Sequence, residues 1–201
     1  YFIAAGDGAL KDFFDPESPR WDDGSHFASG EGREPGRFFT YSNLNFGVLG
    51  ELIERLSGQR FDRYMTAQIL APMGLTASFN PCDVGTARLA TAFRKRNGAG
   101  AWNAAGPWVA QVDGAPLTCF YGEADLADPD AFLASYTAGQ NASLFSPQGG
   151  LRASADDLAA VLSMLAARGA IGGERLLSRR SVDDMLRPSW ALNKRGDNVV
   201  L

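Results

Sequence analysis

The strongest constraint on the fold is an apolar repeat that begins after Ser42 and ends at Gly58. Apolar side chains recur there at spacings of three and four, which predicts an amphipathic α-helix. The apolar stripe consists of Leu44, Val48, Leu49, Leu52, Ile53 and Leu56. Ser42 suits the N-cap and Gly58 suits the left-handed position after the last turn. We expect the stripe to face the core, and Glu51, Glu54 and Arg55 to face away from it.

Two glycines, Gly47 and Gly50, lie inside this predicted helix. Each costs about 1 kcal/mol there relative to alanine. We therefore expect another segment to pack closely against the helix at these two positions.

Further segments carry helical signals. They are a turn near Leu10–Phe14, a helix over Phe61–Leu70, a short helix over Pro129–Tyr136 capped by Asp128, a helix that begins after Ser154, and a helix over Arg179–Leu186 capped by Ser178. Ser154 and Asp157 form a capping-box pattern. The apolar face of that helix includes Leu158 and Leu162, and Gly169 ends it. Short strands are expected within 89–96 and 102–112.

Composition excludes several classes of protein. The chain has 201 residues, 45% of them apolar, and a net charge of −4, which is typical of a globular protein rather than a disordered one. We find no basic stripe for a nucleic acid backbone and no apolar run of about 20 residues that could span a bilayer. With two cysteines and one histidine, we expect no metal site and no disulfide framework. Whether Cys82 and Cys119 are free or bonded stays open, and so does the compartment.

Several candidate signatures fail on inspection. The chain lacks the Gly-x-Ser-x-Gly pattern of a nucleophile elbow and the phosphate-loop pattern. Gly30-Glu31-Gly32 follows no predicted strand and opens no predicted helix, so we expect no cofactor there or elsewhere. His26 is interpreted as a loop histidine without a catalytic role. Asn141-Ala142-Ser143 matches the glycosylation pattern only by spacing.

Tyr41-Ser42-Asn43 is the segment that best combines reactive groups with a defined position. It places a phenol just before a capped helix and an amide two residues later. A phenol needs nearby positive charge to act as a base at neutral pH, and the N-terminus of a helix contributes about 1 kcal/mol. Arg37 is the nearest cation in the sequence. The alternative is that Tyr41 packs the start of the helix against the core.

Three segments in this order resemble the serine β-lactamase superfamily, in particular its class C branch and the related esterases and D-alanyl-D-alanine peptidases. They are residues 41–43, the stretch from Gly58 to Leu75, and residues 146–158, which read Ser-Pro-Gln-Gly-Gly-Leu-Arg-Ala-Ser-Ala-Asp-Asp-Leu. The resemblance implies an α+β fold of the β-lactamase and penicillin-binding-protein type, incomplete in this chain, rich in helix and with few strands.

The resemblance also implies roles for particular residues. Tyr41 would exchange a proton with the serine nucleophile of a Ser-x-x-Lys motif during formation of an acyl-enzyme. Asn43 would hydrogen-bond the lysine of that motif and the amide carbonyl of a small-molecule acyl substrate. Gln148, Gly149 and Gly150 would shape a substrate-binding loop at the rim of the site.

The chain departs from the family pattern at the nucleophile. The chain has three lysines, Lys11, Lys95 and Lys194. The residues three positions before them are Gly8, Ala92 and Ala191, and none of these is serine. The chain therefore contains no Ser-x-x-Lys motif. The Lys/His-Thr-Gly motif is missing as well. We therefore expect the chain to be inactive in isolation and to belong to a larger serine hydrolase. The alternative is a non-catalytic binding module that retains the fold.

We expect residues 1–201 to form the central part of a single β-lactamase-like domain. The chain starts at Tyr1 without a methionine and ends on an apolar run, so it is interpreted as a middle fragment, the alternative being a processed mature protein. Within it, residues 1–40 are expected to be rich in loops, 41–80 helical, 81–150 irregular with short strands, and 151–190 helical. Unpaired sheet edges in such a fragment predict a possible dimer.

Overall fold

The computed structural model describes residues 9–26, 30–34, 36–98, 101–111, 118–192 and 198–200. Six α-helices occur in these ranges: α1 Asn43–Ser57, α2 Phe61–Met65, α3 Pro81–Val84, α4 Pro129–Ser135, α5 Ala155–Ala166 and α6 Arg179–Leu186. Residues Thr66–Leu70 continue α2 as a π-helical turn. Short 3₁₀ turns include Leu10–Phe13, Thr86–Arg88 and Ala142–Phe145.

The strands are short and form antiparallel two-stranded sheets. They are β1 Ala92–Lys95 with β2 Trp108–Gln111, β3 Ala170–Ile171 with β4 Glu174–Arg175, and β5 Trp190–Leu192 with β6 Asn198–Val200. In the described residues the architecture is therefore α+β and dominated by helix. No helix in this part of the chain has both the length and the hydropathy of a membrane-spanning segment.

The local signals in the sequence are confirmed where they concern helix ends. Gly58 follows α1 with φ 68°, and the hydroxyl of Ser154 accepts from the backbone N–H of Asp157, whose carboxylate accepts in return. Asp128 and Ser178 cap α4 and α6 through their side chains. Ser42 occupies the N-cap position of α1 in an extended conformation, but its hydroxyl makes no capping hydrogen bond.

The predicted buried face of α1 is wrong. Leu44 is buried, but the other buried residues of the helix are Gly47, Gly50, Glu51 and Glu54. Most of the apolar stripe lies at the surface, namely Val48, Leu49, Leu52 and Leu56. The glycines explain the difference, because they let the helix backbone approach the segment Ala142–Pro147. A β-carbon on Gly50 would lie 3.0 Å from Pro147 Cγ and 3.1 Å from Ala142 Cβ.

The face of α5 is also not the one predicted. Asp157 and Met164 are buried, whereas Leu158 and Leu162 are exposed. Asp157 is held inward because its carboxylate also accepts from the backbone N–H of Thr76, at 3.1 Å. These hydrogen bonds to Ser154 and Thr76 lower the pKa of Asp157.

The main core is aromatic and lies between α1, α2 and the segment 119–145. Its buried members are Phe61, Phe120, Ala142, Leu144 and Phe145. A smaller cluster of Leu10, Phe13 and Leu44 packs the first 3₁₀ turn against the start of α1. A disulfide bond joins Cys82 and Cys119 across 37 residues and settles the state of this pair, which the sequence left open.

Candidate active site

Tyr41 and Asn43 lie together at the N-terminus of α1. The Tyr41 hydroxyl donates a hydrogen bond of 2.8 Å to Asn43 Oδ1. The Tyr41 side chain is 69% exposed, so it does not pack the helix start against the core as the alternative interpretation required. Its hydroxyl is open to solvent beside the first turn of a 15-residue helix.

The arrangement has a definite chemical capacity. Because the phenolic hydrogen is directed at the Asn43 amide, the lone pairs of the Tyr41 oxygen stay free to accept a hydrogen bond from another group. The helix N-terminus favours negative charge nearby by about 0.3–1 kcal/mol at an exposed position. Proton exchange with a neighbouring alcohol is the reaction that such a phenol can assist.

A buried carboxylate anchors the C-terminal half of α1, roughly 16 Å along the helix axis from Asn43. Glu54 is fully buried and accepts three hydrogen bonds of 2.7 Å, from the backbone N–H groups of Phe61 and Gly139 and from the hydroxyl of Tyr136. Burial raises the pKa of Glu54. Burial and the adjoining Glu54 carboxylate also raise the pKa of Tyr136. The helical period of the sequence predicts Glu54 on the outer face, which is wrong, and nothing in the local pattern identifies these non-local partners.

A second buried carboxylate fixes the start of α2. Arg60 donates from Nε and Nη2 to the two oxygens of Asp62, each at 2.8 Å. The hydrogen bonds to Asp62 raise the pKa of Arg60. The guanidinium carbon of Arg60 also lies 4.9 Å from the centroid of the Phe145 ring. The ion pair therefore packs against the aromatic core.

The predicted rim loop, residues 146–150, is a tight turn. Ser146 adopts a left-handed conformation with φ 49°, and its carbonyl accepts from the backbone N–H groups of Gly149 at 3.1 Å and Gly150 at 2.7 Å. A β-carbon on Gly150 would lie 2.5 Å from Ser146 Cβ, so only glycine fits there. Gly149 faces open space.

Gln148 does not present its amide to solvent. Both amide atoms are buried, and neither has a hydrogen-bond partner in the described residues. The loop lies along α1 near Gly50, roughly 10 Å along the helix axis from Asn43. The structure therefore brings Tyr41 and Asn43 into contact, while the predicted loop residues form no hydrogen bond with either of them.

The other side of this loop borders a cavity of about 210 Å³ that the sequence analysis missed. Its lining includes Cys119, Tyr121, Ser146, Gly150 and Arg152. Arg152 Nη1 donates to the Gly150 carbonyl at 2.7 Å, so the guanidinium supports the turn from the cavity side. No pattern in the sequence links residues 119–121 to this loop, because the contact is made across the fold.

The sequence matches the family model described as Beta-lactamase over residues 8–197. The chain belongs to the β-lactamase family. This confirms the resemblance to the serine β-lactamase and penicillin-binding-protein superfamily that residues 41–43, 58–75 and 146–158 indicated.

Two curated relatives match a shorter part of the chain. Each is named "Putative D-alanyl-D-alanine carboxypeptidase", one from Escherichia coli strain K12 and one from Escherichia coli O157:H7. Both are 41% identical over 49 residues, which is 24% of this chain and 11% of the relative. The match thus spans about a tenth of the length of these relatives.

Proposed function

We propose that this β-lactamase-family chain is the central part of a serine hydrolase that acts on β-lactam, ester or D-alanyl-D-alanine-type acyl substrates through an acyl-enzyme. The observation that carries the proposal is the exposed Tyr41 hydroxyl, hydrogen-bonded to Asn43 at the start of α1, in a member of this family. The name of the two relatives favours the D-alanyl-D-alanine substrates within this set.

In the proposed reaction the nucleophile is a serine outside the 201 residues. Its oxygen forms a bond to the substrate carbonyl carbon, and the bond from that carbon to the leaving nitrogen or oxygen breaks. The Tyr41 oxygen accepts the serine proton while its own proton, now directed at Asn43, passes to the leaving group. Tyr41 ends in the protonation state in which it began, and water later hydrolyses the acyl ester.

Asn43 and the rim loop have supporting roles in this proposal. The Asn43 amide would bind the lysine of the nucleophile motif through its oxygen and the substrate carbonyl through its nitrogen. Gln148, Gly149 and Gly150 would form the wall along which the acyl group lies. The open space beside Gly149 is compatible with contact to a substrate on this side, whereas the buried amide of Gln148 would have to turn outward to reach one.

A non-catalytic binding module is the second candidate function. The observation that favours it is the sequence itself, in which none of the three lysines follows a serine at the spacing of the nucleophile motif. We propose a dimer through sheet edges with either function, because each sheet in the described residues has only two strands.

The test is the acylation rate of the full-length protein with fluorescent penicillin and a fluorophosphonate. We expect Tyr41→Phe to slow acylation about 10²-fold or more, because it removes a positioned proton-transfer group. Tyr64→Phe is the matched control, since it removes a phenolic hydroxyl from α2, outside the Tyr41–Asn43 pair and the rim loop, and should leave the rate unchanged.

The isolated chain should form no covalent adduct with either reagent. Equal rates for wild type and Tyr41→Phe would reject the role of the tyrosine. A stoichiometric adduct on the isolated chain would reject an external nucleophile. A full-length sequence without Ser-x-x-Lys, together with no labelling, would favour the binding module.

A further inference from the structure

The hairpin of β1 and β2 carries large aromatic side chains at the surface. Phe93 is 59% exposed, Trp108 is 66% exposed, and Trp102, which pairs with Arg96 near the tip, is 70% exposed. Exposing three such rings on one short hairpin is unfavourable in water, because each could remove a large apolar area from solvent. The hairpin is therefore a candidate interaction surface.

Among the described residues, both faces of this hairpin are exposed. Phe93 lies opposite Ala110 and Lys95 opposite Trp108, so these side chains share one face. Arg94 lies opposite Val109 on the other face, and both are exposed. Apolar and cationic side chains thus occur on both faces.

The charge of this region differs from that of the chain as a whole. From Val84 to Gln111 the sequence contains no aspartate or glutamate but has four cations, Arg88, Arg94, Lys95 and Arg96, whereas the net charge of the chain is −4. The net charge of the whole chain conceals this local basic run. Lys95 is held beside an exposed indole, with Nζ 5.5 Å from the centroid of the Trp108 ring.

We propose that the β1–β2 hairpin docks on an anionic lipid surface. Tryptophan rings concentrate at the interface between lipid and water, and lysine or arginine beside them is attracted to anionic headgroups. A lipid interface can surround a projecting hairpin on both faces, which suits the apolar and cationic side chains that each face carries. The occupant is thus the headgroup region of a membrane that contains anionic lipid, independently of the acyl chemistry proposed above.

The test is co-sedimentation of the full-length protein with vesicles. The probes are vesicles of phosphatidylcholine alone and vesicles in which about one third of the lipid is phosphatidylglycerol. We expect binding to the anionic vesicles, release at high salt and a blue shift of tryptophan fluorescence. Arg94→Gln should weaken binding about fivefold, which is the effect of one cation near such a surface. Phe93→Ser combined with Trp102→Ser should weaken it about tenfold or more.

Matched controls lie on other elements. Arg180→Gln removes an exposed cation from α6, and Leu56→Ser removes an 80% exposed apolar side chain from α1. Both should bind vesicles within about twofold of wild type. Circular dichroism of each variant checks that it folds.

Three results would overturn the proposal. One is no preference of the wild-type protein for anionic vesicles. Another is an equal loss of binding in Arg180→Gln and Arg94→Gln. The third is binding to an anionic polysaccharide such as polygalacturonate without binding to vesicles, because the hairpin would then recognise a glycan.

Discussion

Glu54 joins three segments of the fold through one carboxylate. It connects α1 to the start of α2 and to the turn at residues 136–139, and burial raises its pKa. A raised folded pKa means that the native state binds the proton more tightly than the unfolded chain does. Ionisation of Glu54 therefore lowers stability as the pH rises from its unfolded value of about 4.3 through its folded value.

Glu54→Gln should lower the free energy of unfolding by about 1–3 kcal/mol at neutral pH, because an amide N–H₂ then faces a backbone or phenolic donor. Glu174→Gln on β4 is the matched control. Glu174 is exposed, so the loss should be within about 0.5 kcal/mol. Urea unfolding at several pH values is the measurement. The decline in stability above about pH 4.3 should be present in wild type and absent from Glu54→Gln. Equal stability of the two variants would contradict this assignment.

Among individual residues, those that depend on neighbours in sequence could be predicted. The positions of Tyr41 and Asn43 at the start of a helix follow from the cap signal, and the Ser154–Asp157 capping box follows from spacing. The hydrogen bond between Tyr41 and Asn43 was not part of that prediction. The partners of Glu54 could not be predicted, because Tyr136 and Gly139 are more than 80 residues away and no local period records them.

At the scale of elements, the sequence predicts the ends of helices better than their orientation. Caps and C-terminal glycines act within one turn, so the ranges of α1 and α6 agree closely with their signals. The face that packs is decided by the partner segment. In α1 the close approach at Gly50 outweighs the burial of leucines, and the apolar stripe, including Leu52 and Leu56, remains at the surface.

The two glycines of α1 should respond to alanine with opposite signs. A β-carbon on Gly47 would lie 3.5 Å from Ser143 Cβ, an ordinary contact, so Gly47→Ala should stabilise the protein by about 0.5–1 kcal/mol through helix propensity. At Gly50 the β-carbon would crowd Pro147 and Ala142, and Gly50→Ala should destabilise by about 1–3 kcal/mol. Thermal unfolding of both variants compares them directly. A gain of stability at position 50, or the same sign at both positions, would show that the helix packs differently.

At the scale of the whole molecule, the bond between Cys82 and Cys119 closes a loop that contains the β1–β2 hairpin and part of the wall of the cavity beside Gly150. The cysteine count showed that one such bond was possible, but its formation depends on the fold bringing α3 next to residue 119. Disulfides persist in oxidising compartments. We therefore expect this protein to fold in one.

Replacing both cysteines by serine should lower the free energy of unfolding by about 4 kcal/mol, because a sequence separation of 37 residues makes the loop-closure entropy of the unfolded chain large. Urea unfolding with and without dithiothreitol provides the measurement and its control. Dithiothreitol should destabilise the wild-type chain to the level of Cys82→Ser/Cys119→Ser and should leave that double variant unchanged. If the wild-type chain unfolds at the same urea concentration with and without reductant, the bond contributes no stability, and other contacts hold the loop, such as those of Phe120 with the aromatic core.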